Sequence, residues 1–220
     1  MNPVQKFLSA AGAAAMFVLS SGASAAPVSF TITAAQFLPG PGYGIDLDEA
    51  SPNLLDVRFS TSVFSTQNFA LSAVNQSNTF NFGTIDLEEA SAHSGIQGPE
   101  ELDGLLITAK LTFTAPTGVT QTISATGVAT PGSVSDSQVD YVIDWAPVLV
   151  SFGNGGQFRI SLTDMAFSDM GAQFQTATVT LLSLSDELLQ ANDVPEPATV
   201  ALLGIGIGSV AVVRRRRAKA

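Results

Sequence analysis

The sequence contains no cysteine. A disulfide framework, a thiolate metal site, a cysteine nucleophile and a lipid-modified cysteine are all excluded. Any stable domain here must hold itself together by packing alone. Histidine is nearly as scarce, with His93 the single copy. One imidazole and no thiolate make a poor zinc or transition-metal set. Ser94 adjoins His93, but neighbours along a strand point to opposite faces, which spoils the geometry of a Ser-His-Asp triad. No G-x-S-x-G elbow is present either. His93 reads as an exposed loop residue. There is one tryptophan, Trp145, and there are two tyrosines, Tyr43 and Tyr141.

Positive charge is short in the middle of the chain. All nineteen acids lie from Asp46 to Glu196, and only Arg58, Lys110 and Arg159 accompany them. Three bases against nineteen acids leave that stretch near −16, while the whole chain carries −10. A domain so acidic repels phosphate backbones, so nucleic acid is not an expected partner. It stays soluble, repels copies of itself and attracts cations.

The remaining six bases sit at the two ends, and each group belongs to a pattern. Lys6 precedes the uncharged run Phe7–Leu19, broken by Ser20, Ser21 and Gly22, and then Ala23-Ser24-Ala25. That order is a secretion signal, residues 1–25, with a run too short for the ~20 residues of a spanning helix. Ala23 and Ala25 are its small cleavage-site residues, and Pro27 disfavours a cut immediately before it. The signal implies the Sec translocon and signal peptidase as partners. At the other end, residues 198–213 are sixteen without charge, followed by Arg214, Arg215, Arg216 and Arg217. At 1.5 Å per residue such a transmembrane helix covers ~24 Å of a ~30 Å hydrocarbon core, a marginal span. Snorkelling arginines and local thinning cover the mismatch. The arginines keep the extreme C-terminus cytoplasmic, so the domain faces outward, in agreement with the secretion signal. Gly204 and Gly208 form a GxxxG face for close helix approach rather than a nucleotide loop.

Val194-Pro195-Glu196-Pro197-Ala198, then the apolar run, then the arginines, resembles the PEP-CTERM sorting domain of Gram-negative bacteria. The resemblance covers about residues 194–217, within a tail of 194–220. It implies recognition by an exosortase, a membrane-embedded cysteine protease, with cleavage near the motif and passage towards the surface. It also implies the exopolysaccharide and biofilm matrix with which such proteins are associated. Pro195, Glu196, Pro197 and Arg214–Arg217 are the sorting residues on this reading. Physically, two prolines hold the chain extended just outside the membrane, where a protease can grip it.

Between the ends, residues 26–193 alternate with period two: Val28-Ser-Phe30-Thr-Ile32-Thr, Leu55-Asp-Val57-Arg-Phe59-Ser, Phe80-Asn-Phe82 and Leu111-Thr-Phe113-Thr. The same period returns at Val139–Val142, Phe158–Leu162 and Ala177–Leu181. Turn clusters such as Pro39–Gly42, Pro116–Gly118, Pro131-Gly132 and Gly153–Gly156 separate the runs. Seven or more short strands rich in threonine, valine and phenylalanine predict an all-β fold, an antiparallel, jelly-roll-like β-sandwich. A domain of this size buries about 70% of its unfolded surface. One helical turn is expected at Ser185–Gln190, capped by Ser185 or Asp186.

Three groupings inside the domain invite chemistry. Ile45–Ser51 (IDLDEAS) recurs as Ile85–Ser91 (IDLEEAS). Two copies with unlike flanks read as acidic strand-to-loop corners, and clustered carboxylates also suit calcium, though the ligand spacing of a known calcium loop is missing. Glu100-Glu101 and Asp140/Asp144 are carboxylate pairs of the type that hydrolyses glycosides. Trp145 and Tyr141 are either core residues or a sugar-stacking platform. The segment from Phe82-Gly-Thr84 through His93 and Ile96 to Leu105–Phe113 also resembles the choice-of-anchor K surface domains. Their T-H-x-N motif is here Ala92-His93-Ser94-Gly95, lacking both threonine and asparagine.

The expected product is a non-catalytic surface or extracellular-matrix protein without a resident cofactor. The alternative is a carbohydrate-binding or calcium-assisted adhesive module. If the leader is a secretion signal, the exported protein begins at Ala26. Mass spectrometry of surface material tests this, and an intact Met1 there would defeat the export reading.

Overall fold

The computed structural model describes residues 26–45, 54–89, 95–134, 136–186 and 188. Among these, twelve strands run in chain order. They are β1 (Val28–Pro39), β2 (Tyr43–Gly44), β3 (Leu55–Ser60), β4 (Gln67–Leu71), β5 (Ser77–Leu87) and β6 (Leu106–Ala115). The rest are β7 (Thr120–Ala129), β8 (Tyr141–Trp145), β9 (Val148–Phe152), β10 (Gly156–Leu162), β11 (Met165–Phe167) and β12 (Gly171–Ser183). One six-stranded sheet has the order β11-β8-β7-β6-β1-β4, the other β2-β3-β5-β12-β10-β9. Every pairing is antiparallel except β2 with β3, which is parallel. The architecture is the β-sandwich that the period-two runs predict.

Alternation puts one face of each strand into the space between the sheets. In β6, Ile107, Ala109, Leu111 and Phe113 point inward, and in β10 Phe158, Ile160 and Leu162 do. Phenylalanines join the layers. Phe30 of β1 meets Phe158 edge-on at 5.1 Å, and Phe113 and Phe152 flank Phe158 at 5.4 and 5.9 Å. Phe37 touches Phe82 at 4.7 Å. Each fully buried ring contributes about 1.5–3 kcal/mol by transfer alone, which is how a cysteine-free sandwich closes.

Strand β1 extends beyond the predicted run because it changes phase. Val28, Phe30 and Ile32 face inward, and then Phe37 does. The register slips between Thr31 and Ile32 and again between Ile32 and Ala34. Thr114 is the extra residue on β6 and Thr33 the extra one on β1. Their hydroxyls donate to the Thr31 and Thr112 carbonyls at 3.5 and 3.4 Å, steadying a paired bulge.

At the end of the sandwich where β1 finishes, the two tyrosines meet. Tyr43 Oη donates to the Leu105 carbonyl at 3.0 Å, so the 2.7 Å contact with Tyr141 Oη has Tyr141 as donor. The Leu105 carbonyl also accepts the Gly127 N–H at 2.7 Å. A Cβ at position 127 would overlap the Tyr43 hydroxyl and crowd the Tyr141 ring. Only glycine lets β7 pass here.

The donor order predicts unequal costs. Tyr43→Phe strands the buried Tyr141 hydroxyl and is expected to cost about 1–3 kcal/mol, whereas Tyr141→Phe costs about 0.5–1.5 kcal/mol. Chemical denaturation of both single variants and the double variant measures this. A double variant costing the full sum of the singles would show that the hydroxyls are not coupled.

Candidate functional site

The expected sorting residues Pro195, Glu196, Pro197 and Arg214–Arg217, the expected cleavage residues Ala23 and Ala25, the apolar run 198–213 and His93 lie outside the described residues. Among the described residues no helix is long and apolar enough to cross a membrane.

The second acidic repeat is a strand-to-loop corner, as expected, since β5 ends at Leu87 with Ile85 and Leu87 inward. Two of its acids, Glu88 and Glu89, are held individually. Arg58 Nε and Nη2 donate to Glu88 Oε1 and Oε2 at 2.9 and 2.8 Å. This bidentate hydrogen bond holds the Glu88 carboxyl below its ordinary pKa and raises that of Arg58. Glu89 is not a solvated turn residue. It is buried, and its Oε2 accepts the Asp56 N–H at 3.2 Å. Of the first repeat only Ile45 is described. Among the described residues no three His, Cys, Asp or Glu side chains gather to hold a metal ion.

The two proposed carboxylate pairs do not present matched groups. Glu101 is fully buried and its Oε2 accepts the backbone N–H groups of Gln97 and Gly98, while Glu100 is exposed. Asp140 is buried beside Thr130, whose N–H donates to its backbone carbonyl at 2.7 Å, while Asp144 is exposed on β8. A glycosidase needs both carboxyls open to one sugar. In each pair one member is inside.

Trp145 and Tyr141 are core residues, which removes them as a sugar-stacking platform. Trp145 is 3% exposed and Tyr141 is 0%. The indole N–H donates to Gln175 Oε1 at 3.0 Å, and Gln175 Nε2 donates to the Thr163 and Thr176 carbonyls at 2.8 and 3.1 Å. A buried glutamine thus satisfies the only polar atom of the tryptophan side chain, as a buried indole requires. Asp164 Oδ1 accepts the Trp145 backbone N–H at 2.8 Å. Nothing local in the sequence marks Gln175 as this partner, because it lies thirty residues on.

The structure adds a feature that the sequence left unmarked. A cleft of about 250 Å³ lies where the chain enters and leaves the domain. Pro27, Val28 and Ser29 line it from the entry, Ser185 and Leu188 from the exit, with Pro116, Phe152 and Gly153 between. Among the described residues no titratable side chain lines it. The exit is latched to the β9–β10 turn. Asp186 N–H donates to the Asn154 carbonyl at 2.8 Å, and Asn154 Nδ2 returns to Asp186 Oδ2 at 2.9 Å. Ser183 Oγ donates to the Gly155 carbonyl at 2.7 Å. Asp186 and Leu188 are helical, and Leu188 N–H reaches the Ser185 carbonyl at 3.0 Å. The Asp186 carboxylate thus meets a turn rather than capping the helix.

Burial raises both phenol pKa values, most of all for Tyr141, where the Tyr43 hydroxyl adds to the effect. A raised folded value means the contribution is complete below the unfolded tyrosine value of about 10 and is lost as pH climbs above it. Because the chain has two tyrosines, phenolate absorbance should appear above pH ~10 only together with loss of the strand signal in circular dichroism. Titration of either phenol in the folded protein would contradict their burial.

Comparison with known proteins adds one finding. No curated protein and no solved structure matches the chain. A family model does, over residues 193–217, and its description is the PEP-CTERM protein-sorting motif. The tail therefore carries a PEP-CTERM protein-sorting motif, the signal of an exported protein that exosortase sorts through the membrane towards the cell surface.

Proposed function

We propose that this protein is a non-catalytic component of the cell surface or extracellular matrix, associated with exopolysaccharide or biofilm. On this reading the Sec translocon and signal peptidase deliver it across the inner membrane. The tail then holds it as a membrane intermediate with the domain in the periplasm. Exosortase acts near Pro195-Glu196-Pro197, and the sandwich goes on to the surface or matrix of a Gram-negative cell. The observation that carries the proposal is the sorting motif at residues 193–217. The sandwich supports the non-catalytic part through what its side chains are engaged in. The tryptophan and both tyrosines are committed to packing, and each candidate acid pair has one member buried.

A carbohydrate-binding or calcium-assisted adhesive module is the second reading. The acid-rich domain favours it to the extent that carboxylates attract calcium. Thermal melts with and without calcium and binding to a glycan array separate it from the first. A calcium-dependent rise in Tm or a defined glycan signal would replace the purely structural role.

Changing Pro195, Glu196 and Pro197 together to alanine removes the protease handle but leaves the apolar run intact. Full-length protein should then accumulate in the inner membrane. Leu203→Arg should act differently, because a charge near the centre of a spanning helix costs roughly 2.5–3.5 kcal/mol and a marginal span cannot absorb it. That precursor is expected in the periplasm, unprocessed. Fractionation with an antibody to the sandwich and a tag after Ala220 tells the outcomes apart. Surface delivery and tag loss equal to the parent in the triple-alanine variant would remove the sorting role.

A further inference from the structure

We propose that the end of the sandwich built around the Gly153–Gly156 turn is a membrane-docking surface, on which the tail-tethered precursor stands with its acid-rich end pointing away. The proposal rests on the reading of residues 198–213 as a membrane anchor. Two independent observations carry it. The first is where the chain enters and leaves. Val28 and Leu188 line one cleft, and the Asn154–Asp186 latch pins the exit to that end. From Leu188 to the start of the apolar run at Ala198 there are ten residues, which reach at most about 33–36 Å fully extended. The strand β1 alone, with twelve residues, is about 40 Å long. The tether is therefore too short for the sandwich to turn over freely while its exit stays latched.

The second observation is charge. The structure describes thirteen acids, and strand register, or the strand ends that a loop joins, gives each a height along the sandwich. Among these described acids only Asp186 lies at the latched end, with Glu187 next to it in the sequence. Asp144 and Asp164 are near mid-height, opposite Thr126 and against the Trp145 N–H. The other ten lie in the opposite end. Asp56, Asp86, Glu88 and Glu89 cluster where β3 meets the end of β5, and the rest are in the loops before β6, β8 and β12. Of the three bases, Arg58 offsets Glu88 in the acid-rich end, while Lys110 and Arg159 sit on strands midway or nearer the latched end, opposite Thr122 and Thr180. An anionic headgroup surface would repel the far end and tolerate this one. The acid-rich end then stands several screening lengths from the lipid, each about 8 Å at physiological salt. Tether and charge select the same orientation, and the occupant they fit is a lipid headgroup surface.

The absence of cysteine makes the test direct. Val119, 50% exposed in the β6–β7 turn at the latched end, and Val139, 46% exposed at the other end, are changed singly to cysteine and labelled with a fluorophore. The full chain is reconstituted into vesicles of phosphatidylethanolamine and phosphatidylglycerol containing a lipid with a nitroxide headgroup. The label at 119 should lose most of its fluorescence and the label at 139 little. Equal loss, or greater loss at 139, overturns the orientation. Thr120→Asp with Ser151→Asp, both exposed sites, should reduce quenching at 119 in low salt and recover it in high salt. Unchanged quenching in low salt overturns the electrostatic argument. Quenching that appears only when exosortase is added assigns the surface to the protease and overturns lipid docking. A chain that fails to float with the vesicles overturns the anchor reading itself, and this proposal falls with it.

Discussion

The edge-on meeting of Phe30 and Phe158 across the two sheets, at 5.1 Å, is the contact around which the sandwich is organised. With no cysteine to cross-link the layers, they stay together only if large rings from opposite sheets fill the same volume. Phe69 stacks on Phe30 from β4 at 5.1 Å, and Phe113 and Phe152 close round Phe158. Packing of this density leaves little freedom for function inside. It also explains why the aromatic residues that bind sugars on other surfaces are spent here on cohesion. What remains for interaction is the outside of the sheets, the loops and the two chain ends.

The C-terminal tail was the most legible part of the sequence, because its signal is linear. Pro-Glu-Pro, an apolar run and four arginines mark the tail, and it is the part that a family model matches. The strands with strong alternation were legible too, at Val28–Thr33, Leu55–Ser60 and Phe158–Leu162. Strand β7 was not. Its inward residues are Ile123, Ala125 and Gly127, two of them too small to register as a hydrophobic stripe. Gly127 is small because the tyrosine pair occupies the space beside it, and that reason lies far away in sequence. The strands β4, β9 and β11 are short, at five, five and three residues. They owe their conformation to the partner that they pair with more than to their own pattern.

The same distinction separates readable from unreadable chemistry. Acidic residues look alike in a sequence, yet Glu88 is ion-paired on the surface while Glu89 beside it is buried against β3. Glu100 and Glu101 differ in the same way. Trp145 needs a polar partner once buried, and Gln175 supplies it from a strand in the other sheet. The latch between Asn154 and Asp186 joins a hairpin turn to a segment thirty-two residues on. None of these follows from spacing. All follow from which strands the aromatic core brings together.

The paired bulge between β1 and β6 has a consequence for how these strands tolerate change in length. Thr31 stands opposite Ala115 and Ala35 opposite Leu111, so each strand advances by four residues across the detour. The two extra threonines cancel. Removing Thr33 alone would throw the rest of β1 out of step with β6, whereas removing Thr33 and Thr114 together would straighten both strands and keep every later partner. Length in this sheet is therefore a property of the pair, and an insertion or deletion in one strand is neutral only when its neighbour carries the matching one.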